Sequence, residues 1–304
     1  MEKVYVVIVT YNGAQWIKHC LDSVFNSTIP VSVIVVDNGS SDSTLEIIKE
    51  DYSQCKIIAT SENLGFGRGN NLGMRTAISN GADYIYLLNQ DAWVMPDTFE
   101  RLMAIHKNNP EYGILSPMQL TGSGEHVDTN FMKYSIQNNC NGLLEDYILG
   151  KNKDIYETQF VMAAHWLLYV PNLKNVGLFS TAFPHYGEDN NLVHRYIFYG
   201  FKIGVCPNIY GYHDREYRKQ TPKQELYLKY INFITFINNP LIKKRCIIFG
   251  TLVQSIIRIF KIKNISIKDK VSTINLMFNV IGKSEKYKSY YKRPNAFIND
   301  DIIF

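Results

Sequence analysis

Adjacent carboxylates at the start of a predicted helix, Glu188 and Asp189, are the groups in this chain best suited to move a proton. One member of such a pair can accept a proton while its neighbour orients the hydroxyl that loses it. Acidic residues in a first helical turn also favour the helix dipole, and that alone accounts for many such pairs. A further carboxylate, Asp91, lies just past the apolar run Asp83–Asn89. A hard divalent cation bridging a diphosphate needs oxygen ligands presented at an edge of that kind. Asp91 stands too far ahead of Pro96 to be a simple cap for the helix that Pro96 opens.

Two loops could meet the rest of a nucleotide. Asp37 ends the apolar run Val31–Val36 and precedes Asn38, Gly39, Ser40, Ser41 and Asp42. Its carboxylate can accept hydrogen bonds from a pyrimidine imide or a ribose hydroxyl. Asp and Ser can equally close a tight turn and cap the next helix, the role expected of Asp42. In NLGFGRGNN (Asn63–Asn71) the glycines allow close backbone approach, and a helix N-terminus favours anions. Arg68 offers a planar fork to a base or a diphosphate, although a solvated arginine in a common Gly-rich loop is the plainer account. Trp166, flanked by His165 and with His185 downstream, could stack on a sugar face, yet AAHWLLYV is equally a core strand with one aromatic.

Alternating elements must position these groups. Val4–Asn12 reads as a buried strand, and Gly13–Phe25 places Ile17, Leu21 and Val24 on one helical face. A strand over Val31–Val36, a short helix over Ser43–Glu50, a strand over Lys56–Thr60, a helix from about Gly69 to Ser79 and a strand over Asp83–Asn89 follow. Successive βα units predict a parallel sheet with right-handed crossovers. Each polar cluster follows a strand, and open α/β sheets bind ligands just past the carboxyl ends of their strands. Beyond come a helix over 96–108, an irregular Gly- and Asn-rich stretch over 121–155, a strand pattern over Gln159–Pro171, a helix over Gly187–Tyr199 and a strand run over Phe201–Asp214. There is no internal repeat.

The chain has 304 residues, 46% of them apolar, which is enough for a well-buried core in one or two domains. Its five cysteines (Cys20, Cys55, Cys140, Cys206, Cys246) are scattered with no C-x-x-C pair, against a structural zinc site or a disulfide framework. The net charge of +4 conceals an asymmetry. Residues 1–220 carry 17 Lys and Arg against 23 Asp and Glu, net −6; the other 84 carry 15 against 5, net +10. That shift marks a boundary near Thr221. Within the basic part, 241–263 mixes Ile, Phe, Leu and Val with Lys and Arg, as an interfacial helix does. A helical cap or a dimer face is the alternative, and the oligomeric state is left open. No signal peptide and no uninterrupted apolar stretch of spanning length is present, so the expectation is a cytoplasmic protein peripheral on the inner face of the cell membrane. Nucleic-acid binding is disfavoured because the basic excess sits in an apolar tail rather than among base-stacking aromatics.

The order and spacing of VIVTYN (Val7–Asn12), VVDNGSSD (Val35–Asp42), NLGFGRGNN, LLNQDAWV (Leu87–Val94), GEDNNLVHR (Gly187–Arg195) and GYHD (Gly211–Asp214) resemble the family 2 glycosyltransferases of the GT-A type over about residues 4 to 214. The resemblance implies an α/β GT-A fold, a mostly parallel Rossmann-like sheet flanked by helices, with a helical basic C-terminal region. It divides the chain into a catalytic domain over 1–220 (donor half about 1–95, acceptor half about 96–220) and the region 221–304. It also implies a nucleotide sugar donor, a glycan or polyprenyl-linked glycan acceptor and Mn²⁺ or Mg²⁺. On this basis Thr10, Tyr11 and Asn12 wall the base, Asp37 contacts the nucleoside, and Asn63, Gly65 and Arg68 hold the donor. Asn89 and Gln90 precede the metal ligand Asp91 in an Asn-Gln-Asp form where the family usually has Asp-x-Asp, a departure shared with rhamnosyltransferase-like members that leans towards a dTDP- or UDP-linked donor. His213 is the second metal ligand, Asp189 the base and Glu188 its helper, with the reverse assignment as the alternative. His165, Trp166 and His185 flank the acceptor. A non-catalytic nucleotide-sugar-binding or scaffolding subunit is the rival function; it would keep the fold and lose the base, and both carboxylates are present.

Overall fold

The computed structural model describes residues 2–137, 139–215, 220–242, 244–299 and 303. The first half runs β1 (Val4–Thr10), α1 (Ile17–Phe25), β2 (Val31–Asp37), α2 (Thr44–Asp51), β3 (Lys56–Ala59), α3 (Gly65–Ser79) and β4 (Tyr84–Asn89). Strands β3, β2, β1 and β4 lie side by side in that order, all parallel. A strand covered by helices on both faces must be apolar on both, which is why β1 and β4 read as unbroken Val, Ile, Leu and Tyr runs rather than as alternations.

The sheet then turns mixed. After β5 (Ala92–Val94) and α4 (Thr98–Asn108) come β6 (Tyr112–Thr121), α5 (Thr129–Phe131), α6 (Leu143–Ile148), β7 (Tyr156–Thr158), β8 (His165–Tyr169), α7 (Val170–Val176), α8 (Glu188–Phe198) and β9 (Lys202–His213). β8 inserts antiparallel between β4 and β6, β9 runs parallel to β6, and the short β5 closes the edge antiparallel to the end of β9. That last pairing sets Ala92 opposite His213 and carries Asp91 to the same corner.

Sequence reasoning did not find β6, although most of it is buried inside the sheet. Gly113 and Pro117 interrupt its pattern, and the β6–β9 register shifts at Pro117/Met118, the place where a proline can be tolerated in a ladder. The short elements β5, β7, α5, α6 and α7 were not expected either, and the other differences are at ends. α1 starts at Ile17 because Gly13–Trp16 form a turn, and α3 starts at Gly65, four residues before the expected Gly69.

Two apolar cores sandwich the sheet. One joins Ile17, Cys20, Leu21 and Val24 of α1 to Phe99 and Leu102 of α4. The other joins Met74 and Ala77 of α3 to Leu192, Val193 and Tyr196 of α8, and it also takes in Tyr287, Tyr290, Tyr291, Ala296 and Phe297. The C-terminal region, α9 (Pro222–Ile237), α10 (Arg245–Lys261) and α11 (Ile267–Tyr291), thus builds a core of its own and then returns its last residues to the central sheet. α9 opens on a capping box between Thr221 and Gln224 with Pro222 in its first turn. Four cysteines are buried as free thiols and Cys246 is exposed.

Candidate functional site

An open cleft of about 810 Å³ lies past the carboxyl ends of β1, β2 and β4, against the start of α3. It is lined by Thr10, Tyr11, Asn63, Gly65, Arg68, Asn89, Gln90, Asp91 and His185, residues drawn from loops far apart in sequence.

Two brackets hold the loops in place. Gln90 accepts from the Tyr11 amide at 2.9 Å and donates to the Tyr11 carbonyl at 3.2 Å, so the loops after β1 and β4 are bound reciprocally. A Cβ on Gly13 would collide with the Gln90 side chain, which explains the glycine there. On the opposite wall, Asn63 accepts from the Gly65 amide at 2.8 Å and holds Gly65 at φ +80°, a left-handed conformation that favours glycine. Arg68 follows one turn into α3, half-buried, and its Nε has no hydrogen-bond partner among the described residues. A buried donor left unpaired costs about 1–3 kcal/mol, so an anionic or carbonyl ligand in the cleft would recover that cost.

Asp37 and Asn12 do not line the cleft and instead tie together the loops that bound it, as Glu188, Asp189 and His213 also stand behind the lining. Asp37 is 1% exposed, and its carboxylate accepts from the Thr10 hydroxyl at 3.0 Å, the Ser40 hydroxyl at 2.5 Å and the Ser40 amide at 3.1 Å. These three hydrogen bonds fix the end of β1 against the Ser40 turn. Asn12 accepts from the Ser41 amide at 2.8 Å and ties the same two loops together. Asp42 does the same, accepting from the Ala14 and Thr44 amides at 3.1 and 3.0 Å. Asn38, which sequence reasoning passed over, lines the cleft and donates to the Gly65 carbonyl at 3.2 Å. Its place beside Asp37 at a strand end was the available signal.

At the far end Asp91 Oδ1 sits 3.4 Å from His213 Nε2, and the Asn89 amide reaches the same nitrogen at 3.5 Å. Burial works to raise the Asp91 carboxyl, but the His213 hydrogen bond and charge outweigh it and hold the group below its ordinary value. Among the described residues no cluster of three or more His, Cys, Asp and Glu forms a cage here. A carboxylate and an imidazole at this separation fit two adjacent ligands of a hard cation that keeps waters and shares diphosphate oxygens, so the residues suit the expected Mn²⁺ or Mg²⁺. Arg215, also passed over, contacts His213 Nδ1 at 3.3 Å and pairs with the buried Asp128 at 3.3 Å.

The carboxylate pair opens α8, three residues after His185. Gly187 in a left-handed conformation turns the chain into the helix, pressed so closely on α9 that a Cβ would lie 2.5 Å from Thr235 Oγ1. Glu188 is 4% exposed, and its Oε2 lacks a partner among the described residues. Burial, reinforced by the neighbouring Asp189 charge, pushes its carboxyl up to about 8. Glu188 packs against Gly67 of α3, 3.4 Å from the position a Cβ would take there, so α3 and α8 touch at a glycine. Burial also raises Asp189, opposed by hydrogen bonds from Asn190 and by the Arg215 charge. That same charge also lowers Asp91, so Arg215 acts on both acidic groups. Asn71 clamps α3 to the loop between α7 and α8, accepting from the Phe179 amide and donating to its carbonyl, both at 2.9 Å.

Two acceptor expectations are corrected. Trp166 is fully buried and stacks on Phe179 at 6.0 Å, so no sugar can reach its face. His165 is equally buried between the Tyr86 hydroxyl at 2.9 Å and the Tyr212 carbonyl at 3.0 Å, and burial pulls its imidazole down to about 3, a neutral core residue. His185 is exposed on the cleft rim beside Tyr186, as an acceptor-side residue would be.

Comparison with known proteins agrees with this architecture. Glycosyltransferase GlyA of Streptococcus pneumoniae is 25% identical over 184 residues, covering 54% of this chain and 24% of that protein. An N-acetylglucosaminyl-diphospho-decaprenol L-rhamnosyltransferase of Mycobacterium tuberculosis is 30% identical over 125 residues, covering 37% of this chain and 40% of the other. The matched stretch is thus less than half the length of either relative. The structure of the 1–349 fragment of S. aureus TarS in complex with UDP-GlcNAc superposes with a TM-score of 0.55 at 15% identity, covering 95% of this chain and 90% of that one, a likeness of fold. The sequence profile of Glycosyl transferase family 2 matches residues 5–168, more than half of the chain, and the chain belongs to that family.

Proposed function

We propose that this chain is an inverting, metal-dependent glycosyltransferase that moves a sugar from a dTDP- or UDP-linked donor to a hydroxyl of a glycan acceptor in cell-surface polysaccharide synthesis. The observation that carries the reading is the Asp91–His213 pair, whose Asp91 lines the cleft, together with a raised carboxylate pair that opens α8 just after His185, a residue of the same lining. Arg215 is close enough for its charge to act on Asp91 and Asp189. The name of the mycobacterial relative supports a polyprenyl-linked acceptor, and the bound UDP-GlcNAc of the TarS structure supports a nucleoside diphosphate donor.

In this reading Tyr11, Asn38 and Arg68 receive the nucleotide in the cleft, with the free Arg68 Nε turned to the base or the diphosphate. Asp91 and His213 would hold Mn²⁺ or Mg²⁺, which supplies positive charge to the leaving diphosphate. Asp189 takes the acceptor hydroxyl's proton as that oxygen attacks the anomeric carbon. The bond from the anomeric carbon to the diphosphate oxygen breaks with its electron pair staying on the diphosphate, and the configuration inverts. Glu188, neutral below about pH 8, spares Asp189 a second adjacent charge and can donate a hydrogen bond to the acceptor. A polyprenyl carrier would keep that acceptor at the inner face of the cell membrane, where residues 241–263 would meet the lipid.

The test is nucleoside diphosphate release and binding across UDP-, dTDP- and GDP-sugars with Mn²⁺, Mg²⁺ or chelator. Asp91→Asn should weaken metal-dependent donor binding at least tenfold, while Asp189→Asn should keep binding and lose 10²- to 10⁴-fold in turnover, the usual span for a general base. Failure of every nucleotide sugar to bind in the presence of metal would refute the reading.

A further inference from the structure

The C-terminal helices carry an apolar surface that the fold does not use. In α10, Leu252 and Ile259 are buried and Ile248 and Ile256 partly so, forming the stripe that packs on the C-terminal core. At 100° per residue, Phe249, Val253, Ile257 and Phe260 form a second stripe about a quarter-turn away. All four are exposed, Phe249 at 68% and Phe260 at 51%. Gln254, Arg258 and Lys261 follow on the outer flank of that stripe, also exposed. α11 repeats the pattern: Ile267, Val271 and Phe278 share one exposed face, with Ile267 at 73% and Phe278 at 53%.

The two helices are fixed to each other rather than hinged. Buried Lys270 donates from its Nζ to the Phe260 carbonyl at 3.1 Å and the Ile262 carbonyl at 2.7 Å, binding the end of α10 to α11. Lys288 likewise reaches the Ile242 carbonyl at 2.9 Å. Among the described residues no helix is long and apolar enough to cross a membrane, so an apolar stripe beside cations belongs on a surface rather than through it.

We propose that the α10–α11 hairpin is a docking surface for an anionic lipid bilayer, its phenylalanine and isoleucine stripes entering the headgroup region and its cations meeting lipid phosphates. Charge decides between this occupant and a second copy of the chain. Residues 241–292 carry 12 Lys and Arg, ten besides the buried Lys270 and Lys288, against the two acids Asp269 and Glu285, so pairing two such faces would bring like charges together. An anionic leaflet is complementary to the same excess. The inference deepens the reading of a membrane-borne acceptor and rests on it only for the acceptor's identity. It adds the side from which that acceptor arrives, since α10 and α11 pack on α9, and α9 holds the His185 carbonyl through Tyr227 at 2.9 Å.

Sedimentation of the full chain with vesicles tests this without any donor. Vesicles of phosphatidylcholine with about a third phosphatidylglycerol should capture the protein at low salt, and phosphatidylcholine alone should not. The double variant F249S/F260S and the charge reversal R258E/K261E should each weaken capture tenfold or more, with unchanged circular dichroism and unchanged donor binding. Because donor binding is read separately, failure of the lipid proposal and failure of the transferase reading are distinguishable. Equal capture of parent and variants overturns the proposal. So does a lack of capture accompanied by a dimer that F249S/F260S dissociates, which would make the face an interface between copies.

Discussion

Replacing Glu188 by glutamine should stabilise the protein, and only at high pH. Its carboxyl is raised from 4.5 to about 8 by burial first and by Asp189 second, with one oxygen lacking a partner among the described residues. Between those two values the folded state keeps a proton that the unfolded chain has released, so stability falls as pH rises. The contribution is whole below pH 4.5 and gone above about 8. A shift of about 3.5 units at 1.36 kcal/mol each is on the order of 5 kcal/mol. At roughly 2 °C per kcal/mol for a chain of this size, that corresponds to a Tm gap of about 10 °C. Glutamine keeps the shape and has no proton to lose. Melting curves of parent and Glu188→Gln followed by circular dichroism from pH 5 to 9 should therefore coincide near pH 5 and separate steadily to pH 8, with the variant higher. Parallel curves across that range would refute the argument that Glu188 is buried and neutral.

Asn71→Ala strips both partners from the buried Phe179 peptide and should cost about 3 kcal/mol, read as a lowered urea midpoint; a loss below about 1 kcal/mol would mean that water replaces the clamp. Gly65→Ala forces φ +80° on a side chain whose Cβ would lie 2.7 Å from the Pro184 carbonyl. It should cost about 1–3 kcal/mol and weaken donor binding measured by calorimetry, and unchanged affinity would show that the loop relaxes freely.

The order of landmarks along the chain was legible because each depends on a local rule: an apolar run, then polar residues at its carboxyl end. Tyr11, Asn63, Arg68, Gln90 and Asp91 do converge on one cleft. Which way a side chain points was not legible when both faces of its strand are covered. Trp166 and His165 lie in β8, enclosed between β4 and β6, and there an apolar-flanked aromatic carries no sign of the face it takes. Asp37 is a different case. A strand-end carboxylate followed by Ser40 can serve a ligand or its own turn; two of its three hydrogen bonds come from Ser40, and the third comes from Thr10 of β1, 27 residues away.

Least visible of all was the dependence of the catalytic helices on the end of the chain. Arg75 of α3 donates to the Phe297 carbonyl at 2.8 and 3.1 Å, a contact spanning 222 residues that no local pattern announces. Arg195 of α8 is fully buried, donates to the Val176 and Leu178 carbonyls, and lies over the rings of Tyr291 and Phe297 at 5.0 and 5.5 Å. Burial lowers its guanidinium only to about 10, so it stays charged and holds these carbonyls and π faces at neutral pH. Sequence alone marked Arg195 as part of the pattern around Glu188 and Asp189 without saying what it does. Its contacts show that it fixes the far end of α8 against the last turn of α11. The helix that carries the carboxylate pair is therefore held from both ends by the C-terminal region: by α9 at Gly187 and by Tyr291 and Phe297 at Arg195. A surface that orients α10 and α11 would orient the acceptor side of the cleft with them.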